Sequence, residues 1–227
     1  MPRPSRRTGS TVMATAVALV LASAIALGLS GCTTPAPSPT GTHTSPLRLA
    51  IVGDSLSAGK TRSIANGLDA STWALWATDD NLVYAGGWAV AGATTTAMAE
   101  GVTRIDDTDI VVILAGTNNV SHGVPWDQAA GDLSRIVETT DARHTVVSAI
   151  PPFDQHATEA RTYNLQLSEL AASRGWDFID PWVEQRDGDF WEAGRSIDGA
   201  HPVDDGYRLL GLAIREDLNT LMESWVG

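Results

Sequence analysis

The chain of 227 residues has one cysteine, Cys32, and one lysine, Lys60. A single cysteine excludes an intrachain disulfide framework and a cysteine-built zinc site. Basic side chains are scarce: 15 Lys and Arg stand against 27 Asp and Glu, a formal net charge of −12. Nucleic acid is thereby excluded as a partner, because phosphate binding needs clustered Lys and Arg. Tyrosine and phenylalanine are sparse too, three of each beside eight tryptophans. What is plentiful is apolar: 43% of residues, with only 19% charged, which excludes a disordered polyanion. A chain of this length can bury a sizeable core as one domain without covalent staples.

Acidic residues are missing altogether from residues 1–31, which carry Arg3, Arg6 and Arg7 ahead of an apolar run from Val12 to Leu29. A basic start, an apolar stretch and small residues after it describe a secretory signal. Read alone, the run also approaches the length of a membrane-spanning helix. The tetrapeptide Leu29-Ser30-Gly31-Cys32 resembles the lipobox of bacterial lipoproteins. That resemblance implies cleavage before Cys32, lipidation of Cys32, and an extracytoplasmic protein anchored to the cell membrane. Losing residues 1–31 removes three arginines and no acid, taking the net charge from −12 to −15. An anionic membrane repels such a body, so attachment is expected through the lipid chains. Residues 32–46, rich in Pro, Thr and Ser, read as a flexible tether in which His43 is solvated.

From residue 47 onward the pattern alternates. Leu47–Val52, Asn81–Tyr84, Asp109–Leu114, Thr145–Ile150 and Trp176–Ile179 read as short, apolar, β-branched strands. Helical spacing occupies the intervals, around Ser71–Thr78, Thr94–Val102, Trp126–Thr139, Thr158–Ser173 and Asp204–Trp225. Near-continuous apolar strands separated by helices predict a parallel sheet covered on both faces. Residues 47–227 read as one domain, with no internal repeat. In such sheets, sites form at the carboxyl ends of strands.

Four motifs bear on that expectation. Gly53-Asp54-Ser55-Leu56-Ser57 follows the first strand, where a serine hydroxyl would stand exposed beside backbone N–H groups; a plain helix cap at Ser55 is the competing reading, slightly favoured on this motif alone. Gly92 follows the second strand and leaves an N–H accessible, or merely eases the backbone. Gly116-Thr117-Asn118-Asn119 follows the third strand, where Asn118 offers an amide donor or simply forms a turn. Asp198-Gly199-Ala200-His201 precedes the last helix; its carboxylate can orient the imidazole, or the pair is a capped turn with a surface histidine.

Taken together, in this order and spacing, the four motifs resemble the SGNH/GDSL hydrolase family over nearly the whole chain from Leu47. The resemblance implies a flavodoxin-like three-layer α/β/α sandwich with a parallel central sheet. It also implies a serine esterase in which Ser55, His201 and Asp198 form the catalytic triad. The oxyanion hole implied is the N–H of Ser55, the N–H of Gly92 and the side chain of Asn118. Two positions depart from the family pattern: Gly87 stands where an asparagine is common, and Asn119 where the third block often ends in aspartate. No cofactor is expected and no metal, since His122, His144 and His156 are scattered without ligand spacing.

The substrate is legible only as a class. Tryptophans 73, 76, 88, 126, 182 and 191 fall in or near expected loops and helix starts, and core packing is the expected role for most of them. Trp88, four residues before Gly92, and His122, just after the Asn118 loop, are candidate pocket residues. Indoles in a shallow cleft would suit an acetylated glycan, and the absence of a visible long apolar lid favours small or soluble esters, with a short-chain acyl esterase and a lipid esterase both open. A non-catalytic glycan- or ester-binding lipoprotein, and an acyltransferase using the same residues, are the other readings.

Overall fold

The computed structural model describes residues 45–225. The expected signal peptide, Cys32 and most of the tether lie outside the described residues. Strand β1 (Leu47–Gly53) leads into the one-turn helix α1 (Ser55–Ala58) and then α2 (Ala74–Ala77). Next come β2 (Leu82–Ala89), α3 (Thr95–Gly101), β3 (Ile110–Leu114), α4 (Thr117–His122) and α5 (Trp126–Thr140). The order continues with β4 (His144–Ser148), α6 (Ala157–Arg174) and β5 (Asp177–Ile179). A small hairpin of β6 (Arg186–Asp187) and β7 (Phe190–Trp191) precedes α7 (Asp204–Trp225).

Strands β1 to β5 form one parallel sheet in the order β2-β1-β3-β4-β5. Alternation along each strand divides the core. Leu49, Ile51, Ile110, Val112 and Leu114 face α2 and α7, whereas Ala50, Val52, Val111 and Ile113 face α3, α5 and α6. Both faces are dry, which is why these strands read as apolar runs and not as alternating ones. The result is the three-layer α/β/α sandwich that the sequence implied. On α7, Leu210, Ile214 and Leu218 recur at a helical spacing of four and are all fully buried; truncating one to alanine costs about 2–5 kcal/mol.

The tryptophans largely follow the packing expectation. Trp73 and Trp182 are wholly buried, and their indole N–H groups donate to Ser57 Oγ at 2.9 Å and to the Ala149 carbonyl at 2.8 Å. Trp191 packs edge-on against Trp182 with ring centroids 5.5 Å apart.

Strand β2 differs most from expectation: it runs to Ala89 and not to Tyr84. It is an edge strand, half-exposed along most of its length, and a register shift opposite Leu49 and Ala50 interrupts its pairing with β1. Glycines 86 and 87 conceal it, being poor strand formers. Position 87 nonetheless requires glycine. Its φ is +150°, and a Cβ there would overlap the carbonyl oxygen of Ile51. A side chain at position 87 has no room beside β1 in this chain.

The chain steps outward from β1 to β2 and then returns past β1 to β3. Where strand order reverses in this way, a crevice opens at the carboxyl ends of the flanking strands. Here those ends are Gly53 and Leu114.

Candidate active site

Strand β1 delivers Asp54 and Ser55 to that crevice. Asp54, not Ser55, caps α1: its Oδ1 accepts the Leu56 N–H at 2.9 Å, and its own φ and ψ are non-helical. The competing reading of Ser55 as a cap therefore fails, because its neighbour fills that role and leaves the Ser55 hydroxyl free. Ser55 Oγ lies 2.8 Å from His201 Nε2, across 146 residues of sequence.

The turn before α7 holds the imidazole. Asp198 Oδ1 accepts the backbone N–H groups of Ala200 at 3.0 Å and His201 at 2.7 Å, while Oδ2 lies 2.8 Å from His201 Nδ1. One carboxylate therefore both caps the turn and orients the ring. Partial burial opposes its charge, but the two N–H groups and the imidazole outweigh this and hold it below the ordinary carboxylate range. A carboxylate can only accept, so the shared hydrogen sits on Nδ1, and Nε2 is left to accept from Ser55.

On the opposite side of the crevice, Gly92 has φ +83°, and a Cβ there would meet nothing within 4 Å. Neither its N–H nor that of Ser55 takes a hydrogen-bond partner among the described residues. Asn118, at the start of α4, donates from Nδ2 to Asp54 Oδ2 at 3.0 Å and to the Ala93 carbonyl at 3.0 Å. Both amide hydrogens are engaged, and they tie β1, the Gly92 loop and α4 together.

Asp54 itself is wholly buried and pairs with no Lys or Arg among the described residues. Burial pushes its carboxyl up to about 6 from 3.8, against the pull of the Leu56 N–H, the field of His201 and the Asn118 amide. The sequence reading did not single it out; its place between an apolar strand and a one-turn helix was the available signal.

Trp88 lines a hollow of about 220 Å³ with Ser63, Ile64 and Tyr84, which includes none of Ser55, Asp198 or His201. Trp88 lays its indole over Gly101 of α3, where a Cβ would overlap the ring, and it packs with the core of that face. His122 is exposed at the end of α4. The aromatic pair beside the asparagines is instead Trp126 and Tyr163, edge-on at 5.3 Å, lining a hollow of about 310 Å³ with Asn119 and Val120. A larger cavity of about 510 Å³ lies between α6 and the β6–β7 hairpin, and includes none of Ser55, Asp198 or His201. Among the described residues, no group of three His, Cys, Asp or Glu side chains is placed to hold a metal ion.

The model of the GDSL-like Lipase/Acylhydrolase family matches residues 51–209, from β1 into α7. The chain belongs to this family. The acylhydrolase match encloses Ser55, Gly92, Asn118, Asp198 and His201, and the protein is a carboxylic ester hydrolase. Its fold is similar to that of Est24, a carbohydrate acetylesterase from Sinorhizobium meliloti, at 18% identity and a TM-score of 0.58, covering 78% of this chain and 100% of that one. It is similar to the aryl esterase of M. smegmatis at 19% identity and 0.55, covering 78% and 100%. A member of the lipolytic protein G-D-S-L family from Veillonella parvula matches at 18% identity and 0.56, covering 76% and 98%. A search of curated proteins returns no match to the acylhydrolase.

Proposed function

We propose that this acylhydrolase cleaves short-chain acyl esters, acetylated glycans among them, through a covalent acyl intermediate on Ser55. The observation that carries the reading is the hydrogen-bonded run from Ser55 Oγ through the His201 imidazole to Asp198, with both contacts at 2.8 Å. Neutral His201 takes the Ser55 proton as Oγ bonds to the ester carbonyl carbon, and Asp198 stabilises the imidazolium. The resulting oxyanion is met by the N–H groups of Ser55 and Gly92 and by the Asn118 amide. Asn118 shares with the oxyanion, in a three-centre hydrogen bond, the hydrogen that also goes to the Ala93 carbonyl, so the hold on residue 93 persists. Collapse expels the alcohol, which leaves with the proton from His201. Water then repeats the sequence on the acyl-serine and releases the acid.

Small esters suit a site with an open Gly92 corner and with the His201 and Asp198 side chains 31% and 50% exposed. Sharing a fold with a carbohydrate acetylesterase and an aryl esterase accords with that range. A fluorophosphonate probe is expected to label the protein and not Ser55→Ala. Hydrolysis of p-nitrophenyl acetate by Ser55→Ala at the unmodified rate overturns the reading.

The lipobox-like stretch ending at Cys32 supports an extracytoplasmic, lipid-anchored location for the same activity. Cys32→Ala is expected to move esterase activity out of the membrane fraction; unchanged membrane retention refutes the anchor.

A further inference from the structure

Asn119 is wholly buried and grips Thr95 at two points. Its Oδ1 accepts the Thr95 N–H at 2.9 Å, and its Nδ2 donates to Thr95 Oγ1 at 2.7 Å. Its neighbour Asn118 donates to the Ala93 carbonyl at 3.0 Å. Two consecutive asparagines thus hold alternate residues, 93 and 95, of the segment that begins at Gly92. This spacing sets where the Gly92 N–H stands relative to the Asn118 amide.

The network does not end at Thr95. A threonine hydroxyl has one hydrogen, and Thr95 Oγ1 already accepts from Asn119. Its own hydrogen therefore goes to Asp132 Oδ2, 3.2 Å away on α5. Thr96 Oγ1 accepts from Gln128 Nε2 at 2.9 Å and donates to the same Asp132 Oδ2 at 2.6 Å. The other oxygen, Oδ1, takes Arg135 at 3.3 Å. Asp132 is 4% exposed and belongs to none of the four motifs. A buried, acceptor-only group at this point takes both the Thr95 and the Thr96 hydroxyl hydrogens, while the Thr95 N–H fixes which end of the Asn119 amide faces Thr95 Oγ1.

We propose that Asp132 is a positioning residue for ester hydrolysis, acting through Thr95 and Asn119 to hold the Gly92 N–H and the Asn118 amide at the oxyanion. The inference rests on the reading of Gly92 and Asn118 as oxyanion donors. It also accounts for Asn119, which stands where the family pattern often has an aspartate. In this chain the carboxylate of the network sits on the far side of Thr95, at position 132, and position 119 must then be a donor. Two carboxylates on either side of a single hydroxyl hydrogen would leave one of them without it and repel each other. Displacements of about 1 Å in such positioning groups lower rates by up to about 10²-fold.

The polarity of the network can be inverted, which makes the test specific. Asn119→Asp alone is expected to lower kcat for p-nitrophenyl acetate about tenfold or more, with KM changed less than about twofold. Asp132→Asn alone keeps one acceptor and is expected to cost about threefold in kcat. The double variant Asn119→Asp/Asp132→Asn moves the carboxylate to position 119, and the Thr95 hydroxyl reverses to donate to it. The new amide at 132 donates to Thr95 and Thr96 Oγ1, and the exposed Gln128 amide turns over to accept from Thr96. Its kcat is expected to recover to within about threefold of the unmodified enzyme. Thermal unfolding of all three separates rescue of the rate from rescue of the fold. A double variant whose loss equals the product of the single losses overturns the proposal. So does a kcat that follows the melting temperature alone, or a loss confined to KM. Asn118→Ala serves as the control. If it keeps full kcat, the oxyanion reading itself fails; if it loses activity while the position-132 variants do not, only the role of Asp132 fails.

Discussion

The two walls of the crevice are built on opposite principles. The wall that carries His201 holds its ring locally: Asp198, Ala200 and His201 bond to one another over four residues, and the side chains that matter are substantially exposed. The wall that carries Asn118 is buried and assembled from afar, with Asp54 just after β1 bonded to Asn118, and Thr95 on α3, Asn119 on α4 and Asp132 on α5 joined through side chains. A group that shuttles a proton gains from access to water and some freedom of the ring. Donors that stabilise a developing charge gain from being held before it appears, since reorganisation during reaction is then avoided. The division of labour predicts that the two walls respond differently to damage.

The largest expected effect lies in the exposed turn. Asp198→Asn keeps an oxygen to accept the Ala200 and His201 N–H groups, so the turn should persist. It loses the acceptor that fixes Nδ1–H, and kcat is expected to fall about 10⁴-fold with the melting temperature nearly unchanged. Steady-state kinetics beside a thermal scan check both halves; a melting temperature that falls in step with the rate would show that the two walls are not distinct in kind. On the buried wall, Asn118→Ala is expected to cost about 10²–10³ in kcat, the usual consequence of losing one oxyanion donor. Because Asn118 also ties Asp54 to Ala93, this variant should lose stability as well, and stability unaltered by the change would break the contrast from the other side.

The smallest effect is on stability and belongs to Asp54. Its carboxyl titrates near 6 in the folded protein against 3.8 ordinarily, so between about pH 4 and 6 the folded state keeps a proton that the unfolded chain has released. Stability from this group is therefore highest at low pH and declines as pH rises through that window, by about 3 kcal/mol in all. Asp54→Asn removes the titration. The unfolding free energy of the variant minus that of the unmodified protein is expected to rise by about that amount from pH 4 to 7. Denaturant melts at both pH values measure it, and a pH-independent difference would deny Asp54 its buried charge.

The exposed wall was the legible one. Asp198 and His201 lie three residues apart, and their interaction is local enough to suspect from spacing. Ser55 and Asn118 each follow an apolar strand, and strand ends are where such a fold gathers its chemistry. Asp54 and Asp132 were not legible in the same way. Asp54 stands in the open within the Gly53–Ser57 motif, but nothing local shows that it, and not Ser55, caps the helix. Asp132 looks like any polar residue on an amphipathic helix; its burial depends on α3 arriving opposite it. Trp88 is close to Gly92 in sequence, but only the structure shows that its indole also covers Gly101. The β2 strand was half-missed for the related reason that Gly86 and Gly87 carry no apolar side chain to mark it.

What the sequence determined by itself is the layer architecture, the order of the strand-end motifs and the chemical class of the site. These depend on hydrophobic periodicity and on residues acting within a few positions of one another. Only the tertiary structure decided which polar groups bond across the crevice: that the Asn118 amide rests on Asp54 and Ala93, and that Asn119 reaches Asp132 through a single threonine hydroxyl. The physical reason is directional. Burial of apolar surface tolerates many sequences, whereas a hydrogen bond between groups 24, 37 or 64 residues apart exists only when two elements meet at one angle and one register.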